Sequence, residues 1–232
     1  MQRDNGAAER YMAAMVHYYD ATRIPAEPGQ AAGVRRDMAR DPAHWGHAMV
    51  ADLHALFRGR RVLELACGMG RWTQFVAESA AFVLATDTSP NLLRNAAGLN
   101  LPPDRVRFAL HDAMDVEAIT EPVDAAFHAN FVNHLPADVR AEFHARLHRR
   151  VGRGALVVAA GQQYSDRWRK QMYAKPGSPD TYATRTDDGV TVELVDNEYD
   201  EARLRAELGA TADGLQFRAG PGFWWAWYHV AG

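Results

Sequence analysis

The chain has 232 residues, of which 47% are hydrophobic and 24% charged, with a formal net charge of −3. That is enough for one sizeable core without staples, and the single cysteine, Cys67, excludes an internal disulfide, which suits a reducing cytoplasm. The weak charge and scattered basic residues argue against a nucleic-acid partner, no apolar run is long enough to span a membrane, and residues 1–20 lack the apolar stretch of a signal peptide, so a soluble cytoplasmic protein is expected.

Residues 7–20 carry Tyr11, Met12, Met15, Val16 and Tyr19 at spacings of three and four, which predicts a helix with one apolar face. Two prolines and two glycines in "RIPAEPGQAAG" predict a loop. Trp45, Met49, Leu53, Leu56 and Phe57 mark a second amphipathic helix that stops before Gly59.

The rhythm then changes to short apolar runs alternating with helical segments. Strands are expected at "RVLELA" (61–66), "FVLATD" (82–87), "RVRFAL" (105–110), "VDAAFHA" (123–129) and "GALVVAAG" (154–161). Among the helices between them, one has Ser89 as its N-cap, Pro90 at its first position and Gly98 past its end. Another places Val139, Phe143, Leu147 and Val151 four apart. Such alternation builds βαβ units and a parallel sheet covered on both faces.

After Gly161 the pattern breaks. Two strand-like runs around Asp187-Asp188-Gly189 predict a hairpin, a short helix ends at Gly209, and "LQFRAG" and "FWWAWYHV" predict an antiparallel pair. The expected fold class is α/β, doubly wound, with five parallel strands, a closing antiparallel pair and an inserted hairpin.

The stretch "VLELACGMGRWT" (62–73) joins the first strand to a helix through residues with little or no side chain. Ala66, Gly68 and Gly70 let a ligand approach the backbone where helix N–H groups are exposed, at the edge where doubly wound sheets bind ligands. A nicotinamide fingerprint would want glycine where Thr73 stands. Asp87 and Asp112, ending the second and third strands, suit a ribose diol and a nucleoside base.

"VLELACGMGRWT", "LATDTSPNLL", "VRFALHDAMDV" and "VDAAFHANFVNHLP" follow one another in the order and spacing of class I S-adenosylmethionine-dependent methyltransferases. The resemblance covers residues 45–161, and Ala66 replaces the usual glycine. It implies a Rossmann-like seven-stranded sheet, a domain over 45–232, a helical lid over 1–44, and an acceptor-site cover at about 162–199. It implies S-adenosylmethionine as cofactor, with S-adenosylhomocysteine as product. Glu64 and the backbone of Ala66, Gly68 and Gly70 would face the methionine moiety, with Thr88 beside Asp87 at the ribose. Asp87 would bind both ribose hydroxyls, Asp112 and Ala113 the adenine, Asn130 and the backbone before it the sulfonium, and Tyr19 the cofactor carboxylate.

His134, just past the fourth strand, is the candidate general base; alternatively it bonds the start of the next helix. Asn133 either orients substrate or caps that helix. Tyr18, Tyr164, Trp168, Arg169 and Tyr182 are candidates for holding an acceptor ring or anion, or for a solvated cover. Cys67 reads as a small loop residue, and the pairs His44/His47 and His144/His148 as surface or core histidines. The expected activity is methylation of O or N on a small, aromatic or heterocyclic metabolite, as in secondary metabolism, by a monomer or homodimer. A protein or RNA methyltransferase, a nicotinamide-dependent oxidoreductase on a related fold, and a non-catalytic binding protein that keeps the fold are the rival readings.

Overall fold

The structure, a computed structural model, describes residues 5–22, 46–187 and 189–232. The expected loop at 23–33, His44 and Trp45 lie outside the described residues.

The chain order is α1 (Asn5–Thr22), α2 (His47–Phe57), β1 (Arg61–Leu65), α3 (Thr73–Ser79), β2 (Phe82–Asp87), α4 (Pro90–Ala97), β3 (Val106–Leu110), β4 (Ala125–Ala129), α5 (Ala137–Val151), β5 (Leu156–Gln162), α6 (Asp166–Arg169), β6 (Met172–Ala174), β7 (Thr181–Asp187), β8 (Val190–Val195), α7 (Glu201–Leu208), β9 (Ala212–Ala219) and β10 (Phe223–Val230). Seven strands form one sheet in the order β3-β2-β1-β4-β5-β10-β9. β1 to β5 pair in parallel, and β10 runs antiparallel to both β5 and β9. The doubly wound α/β expectation holds, with its antiparallel closing pair.

Both sheet faces are covered, so the central strands read as apolar runs without alternation. On one face Met49, Leu53 and Phe57 of α2 and Phe75 and Val76 of α3 pack on Val62, Val83, Phe127, Val158 and Trp225. On the other, Phe143 and Leu147 of α5 and Leu204 and Leu208 of α7 pack on Leu63, Leu84, Ala126, Val157, Trp224 and Tyr228. β10 alternates between them: Phe223 and Trp225 enter the first core, Trp224, Ala226 and Tyr228 the second. The caps also behave as expected. Ser89 Oγ accepts from Leu92 N–H, with Pro90 at the first helical position.

The insert after β5 is larger than a hairpin. β7 and β8 form the predicted pair, and β6 adds a third antiparallel strand along β7. Three residues are too few to display a period of two, so β6 left no pattern in the sequence. α1 lies against this small sheet: Met15 and Tyr18 form an apolar cluster with Leu194 of β8. Among the described residues no helix is long and apolar enough to cross a membrane.

Candidate active site

β1 ends at Leu65, and the following loop runs along the carboxyl edge of the sheet. Ala66, Gly68 and Gly70 all have positive φ, at 52°, 56° and 75°. The two glycines do different jobs. A Cβ on Gly68 would meet nothing within 4 Å, whereas one on Gly70 would come within 2.7 Å of Leu99 and 3.3 Å of Ala96. Gly68 therefore keeps the ligand side open, and Gly70 permits close packing on the end of α4. Gly68 N–H donates to Asp87 Oδ2 at 2.8 Å, and Ser89 N–H donates to Oδ1 at 2.9 Å. The loop and the end of β2 are thus tied through one carboxylate.

A cleft of about 1230 Å³ opens at this edge. Glu64, Ala66, Gly68, Asp87, Thr88, Asp112, Ala113 and Asn130 all line it, so the structure gathers these sequence-predicted cofactor residues on one surface. Gly70 stands behind them as a packing residue, and the Tyr19 side chain lies outside the described residues.

Several polar groups suit a nucleoside with a charged tail. Glu64 is 2% exposed and its Oε2 has no hydrogen-bond partner among the described residues. Burial pushes its carboxyl up to about 8; Thr73 pulls the other way and the nearby Asp87 charge adds to the rise. Asn130 has φ of 55°, a conformation that asparagine tolerates, and its buried Oδ1 also has no partner among the described residues. Asp112 caps the turn that follows β3 through Oδ1, which accepts from Met114 N–H at 2.8 Å. A buried carboxylate oxygen and a buried amide oxygen that lack partners among the described residues, beside a glycine with open space over it, fit the donors and the cation of S-adenosylmethionine.

His134 also lines the cleft. Its Nδ1 lies 2.9 Å from Val195 O and 3.7 Å from Asp196 Oδ1. Bonding to a carbonyl requires Nδ1 to carry the proton, so the basic lone pair is on Nε2. The ring is held by a zip between the turn after β4 and the end of β8. Asn197 N–H donates to Asn133 O, and Asn133 Nδ2 returns a bond to Asn197 O at 2.7 Å. Tyr11 of α1 closes the zip: its hydroxyl donates to His134 O and accepts from Val195 N–H.

None of the six acceptor-side candidates lines the cleft. Asn133 belongs to the zip and caps nothing; Asp180 instead accepts from Ala137 N–H at the start of α5. Tyr18 is 1% exposed and packs in the apolar cluster of α1 and β8. Tyr164 is buried, its hydroxyl donating to Asp196 Oδ1. Trp168 stacks on Tyr164 and lies under the Arg185 guanidinium. Arg169 is an exposed surface residue paired with Glu198 and Asp166. Tyr182 stacks on Tyr173 with the Lys175 ammonium over its ring. Aromatic rings in an insert pack on one another when nothing else can cover them.

In their place, Met12, Val16 and His17 of α1, Phe131, Gln162 and Arg185 line the cleft. Arg185 had a legible signal. In "TYATRTD" it shares a strand face with Ala183, which is fully buried, and an arginine on an inward strand face is out of place in a solvated cover.

Cys67 is buried in the loop, and burial holds its thiol well above the usual range, with Glu64 and Asp87 adding to the effect. It is a packing residue and a poor nucleophile. His144 and His148 face inward from α5 beside His128 and Tyr228, as core histidines. His47 is partly buried at the start of α2.

Residues 62–154 match the family described as "Methyltransferase domain". No curated protein matches the chain by sequence. Among solved structures, the DhpI–SAH complex is 25% identical over 95% of this chain and 97% of that one, with a TM-score of 0.69. The DhpI-SAM-HEP complex is 25% identical over 94% and 97%, with a TM-score of 0.67. At 19% identity, the Burkholderia thailandensis 1,6-didemethyltoxoflavin-N1-methyltransferase covers 100% of this chain and 92% of its own, with a TM-score of 0.58. The cofactor is S-adenosylmethionine, and the nicotinamide reading is set aside. The methyltransferase-domain match, which runs from β1 to just before β5, and the similarity over nearly the whole length to cofactor-bound solved structures support an S-adenosylmethionine-dependent methyltransferase.

Proposed function

We propose that this enzyme methylates an oxygen or nitrogen of a small metabolite, and that His134 is the base that takes the acceptor's proton. The supporting observation is the cleft. It measures about 1230 Å³, while a single small-ligand site runs to roughly 300–1000 Å³. There is room for the cofactor and one small acceptor side by side. In this reading residues 1–44 and the insert at about 162–199 form the cover, since α1 and Arg185 of β7 both reach the cleft wall. The Burkholderia relative is an N1-methyltransferase of 1,6-didemethyltoxoflavin, and a small-molecule acceptor here is in keeping with that.

When bound, S-adenosylmethionine supplies a methyl group on a sulfonium that is already activated for displacement. The protein's work is positioning and water exclusion. Glu64, Asp87, Thr88, Asp112, Ala113 and Asn130 would hold the donor, with Tyr19 at its carboxylate. His134 would accept through Nε2 the proton that an acceptor O–H or N–H loses as it takes the methyl.

The test is incubation with methyl-labelled S-adenosylmethionine and fractionated metabolite extracts, followed by mass spectrometry of labelled products. Label in one small-molecule fraction, reduced roughly 10²-fold or more by His134→Ala, is expected. Label found only in protein or RNA would discard the small-molecule reading, and a His134→Ala rate within a few-fold of wild type would discard the base.

A further inference from the structure

The insert does more than cover the cleft, because it brings a buried carboxylate to the back of the candidate base. Asp196 is completely buried at the end of β8. Its Oδ1 accepts from the Tyr164 hydroxyl, and its Oδ2 accepts from Arg185 Nη2 at 2.5 Å. The same Oδ1 stands 3.7 Å from His134 Nδ1. Removing a carboxylate from water is costly unless its oxygens are paired. Tyr164 and Arg185 pair its two oxygens, and Oδ1 also faces the ring.

The backbone makes this placement reproducible. Asp196 N–H donates to Thr181 O, and the Asn133–Asn197 bonds hold residues 195–197 to the turn bearing His134. Val195 O accepts the Nδ1 proton directly, and the Asp196 carboxylate lies one residue further along. The carbonyl selects the tautomer. The carboxylate supplies the charge that stabilises the ring once Nε2 has taken a proton.

We propose that Asp196, carried by the insert sheet and held by Tyr164 and Arg185, is the positioning carboxylate for His134. This rests on the reading of His134 as base. It makes the insert part of the catalytic apparatus, so that the base is complete only when the three-stranded sheet is docked. Among the described residues, Asp196 of the insert and Tyr11 of α1 contact His134, Arg185 and Tyr164 of the insert bond to Asp196, and His17 of α1 and Asp138 of α5 line the same cleft. Of these, Asp196 is the carboxylate beside Nδ1.

The experiment is a pH titration of ¹⁵N-histidine-labelled protein by NMR, with His134 assigned from His134→Gln. It needs no acceptor. The wild-type ring is expected as the Nδ1-protonated tautomer when neutral. Asp196→Asn, which keeps the shape and removes the charge, should lower the His134 midpoint by about one pH unit or more. An Nε2-protonated neutral ring in the wild type overturns the proposal whether or not the variant folds. So does a midpoint that stays put in a folded Asp196→Asn. The two readings can fail separately. If His134→Gln abolishes labelled product but the spectra show no coupling, the base stands and the role of Asp196 falls. If His134→Gln turns over normally, the base falls and the role of Asp196 with it.

Discussion

Gly68 N–H and Asp87 Oδ2 are 2.8 Å apart, so the ligand-facing loop and the end of β2 share one carboxylate. Asp87 also accepts from Ser89 N–H through its other oxygen. A carboxylate braced by two backbone donors is held in one orientation, which is what a ribose diol needs. Asp87→Ala strands those two N–H groups and removes the partner of the ribose hydroxyls. Cofactor affinity should fall by about 2–3 kcal/mol, roughly 30- to 150-fold. Calorimetric titration with S-adenosylhomocysteine reads this directly, and an unchanged affinity would take Asp87 out of the site.

Acid stability should be governed by the histidines between α5 and the sheet. Burial holds His128 and His144 down to about 3, and the neighbouring histidines add to the effect. Neither ring has a hydrogen-bond partner among the described residues. The folded chain keeps both neutral, while the unfolded chain protonates them below the ordinary value of 6.5. Stability from this source is therefore complete above 6.5 and is lost as the pH falls below it. His144→Leu removes one such proton. Urea unfolding should show the slope between about pH 6 and pH 5 reduced by up to about 1.4 kcal/mol per pH unit. A slope equal to that of the wild type would show that His144 is not buried as a neutral ring.

The gathering of Glu64, Ala66, Gly68, Asp87 and Asp112 on one cleft was legible because its signals are local. Ala66, Gly68 and Gly70 mark positive φ values within one loop, Asp87 ends β2, and Asp112 stands two residues past the end of β3. The acceptor half depends on how a folded insert docks, and that is tertiary information. Tyr164 reads as a ring-stacking residue, yet its partner is Asp196, 32 residues further along the chain. Asn133 follows a strand and precedes a helix, so it reads as a cap, but the helix start is served by Asp180 from the insert. β6 is too short for any periodicity. Arg185 alone betrayed its place, through alternation with the buried Ala183.

Ala66 occupies a backbone position better suited to glycine. At φ 52° its Cβ crowds the following carbonyl, a cost of roughly 1–2 kcal/mol for an L-residue. Ala66→Gly relieves it, partly offset by the greater freedom of glycine in the unfolded chain. A net gain near 1 kcal/mol corresponds to a melting temperature raised by about 2–4 °C for a chain of this size. Scanning calorimetry of the ligand-free protein tests it. A lowered melting temperature would mean that the methyl group packs usefully in the loop.

In the proposed cofactor site, Glu64 is expected to couple binding to protons. In the ligand-free protein its carboxyl is raised from 4.5 to about 8 by burial, so it is mostly protonated at neutral pH. The unfolded chain loses that proton near 4.5, so this group makes the folded state progressively less stable as the pH climbs from 4.5 to 8. Glu64→Gln keeps the neutral shape, and its advantage in melting temperature over the wild type should widen across that interval. Binding the cationic methionine end of the cofactor favours the carboxylate instead. Wild-type affinity should therefore rise with pH toward 8, with a proton released on binding. Glu64→Gln should flatten that dependence and weaken binding at the alkaline end. Calorimetry in two buffers of different ionisation enthalpy counts the proton. A heat that is the same in both buffers for the wild type would show that Glu64 does not change its charge when the cofactor binds.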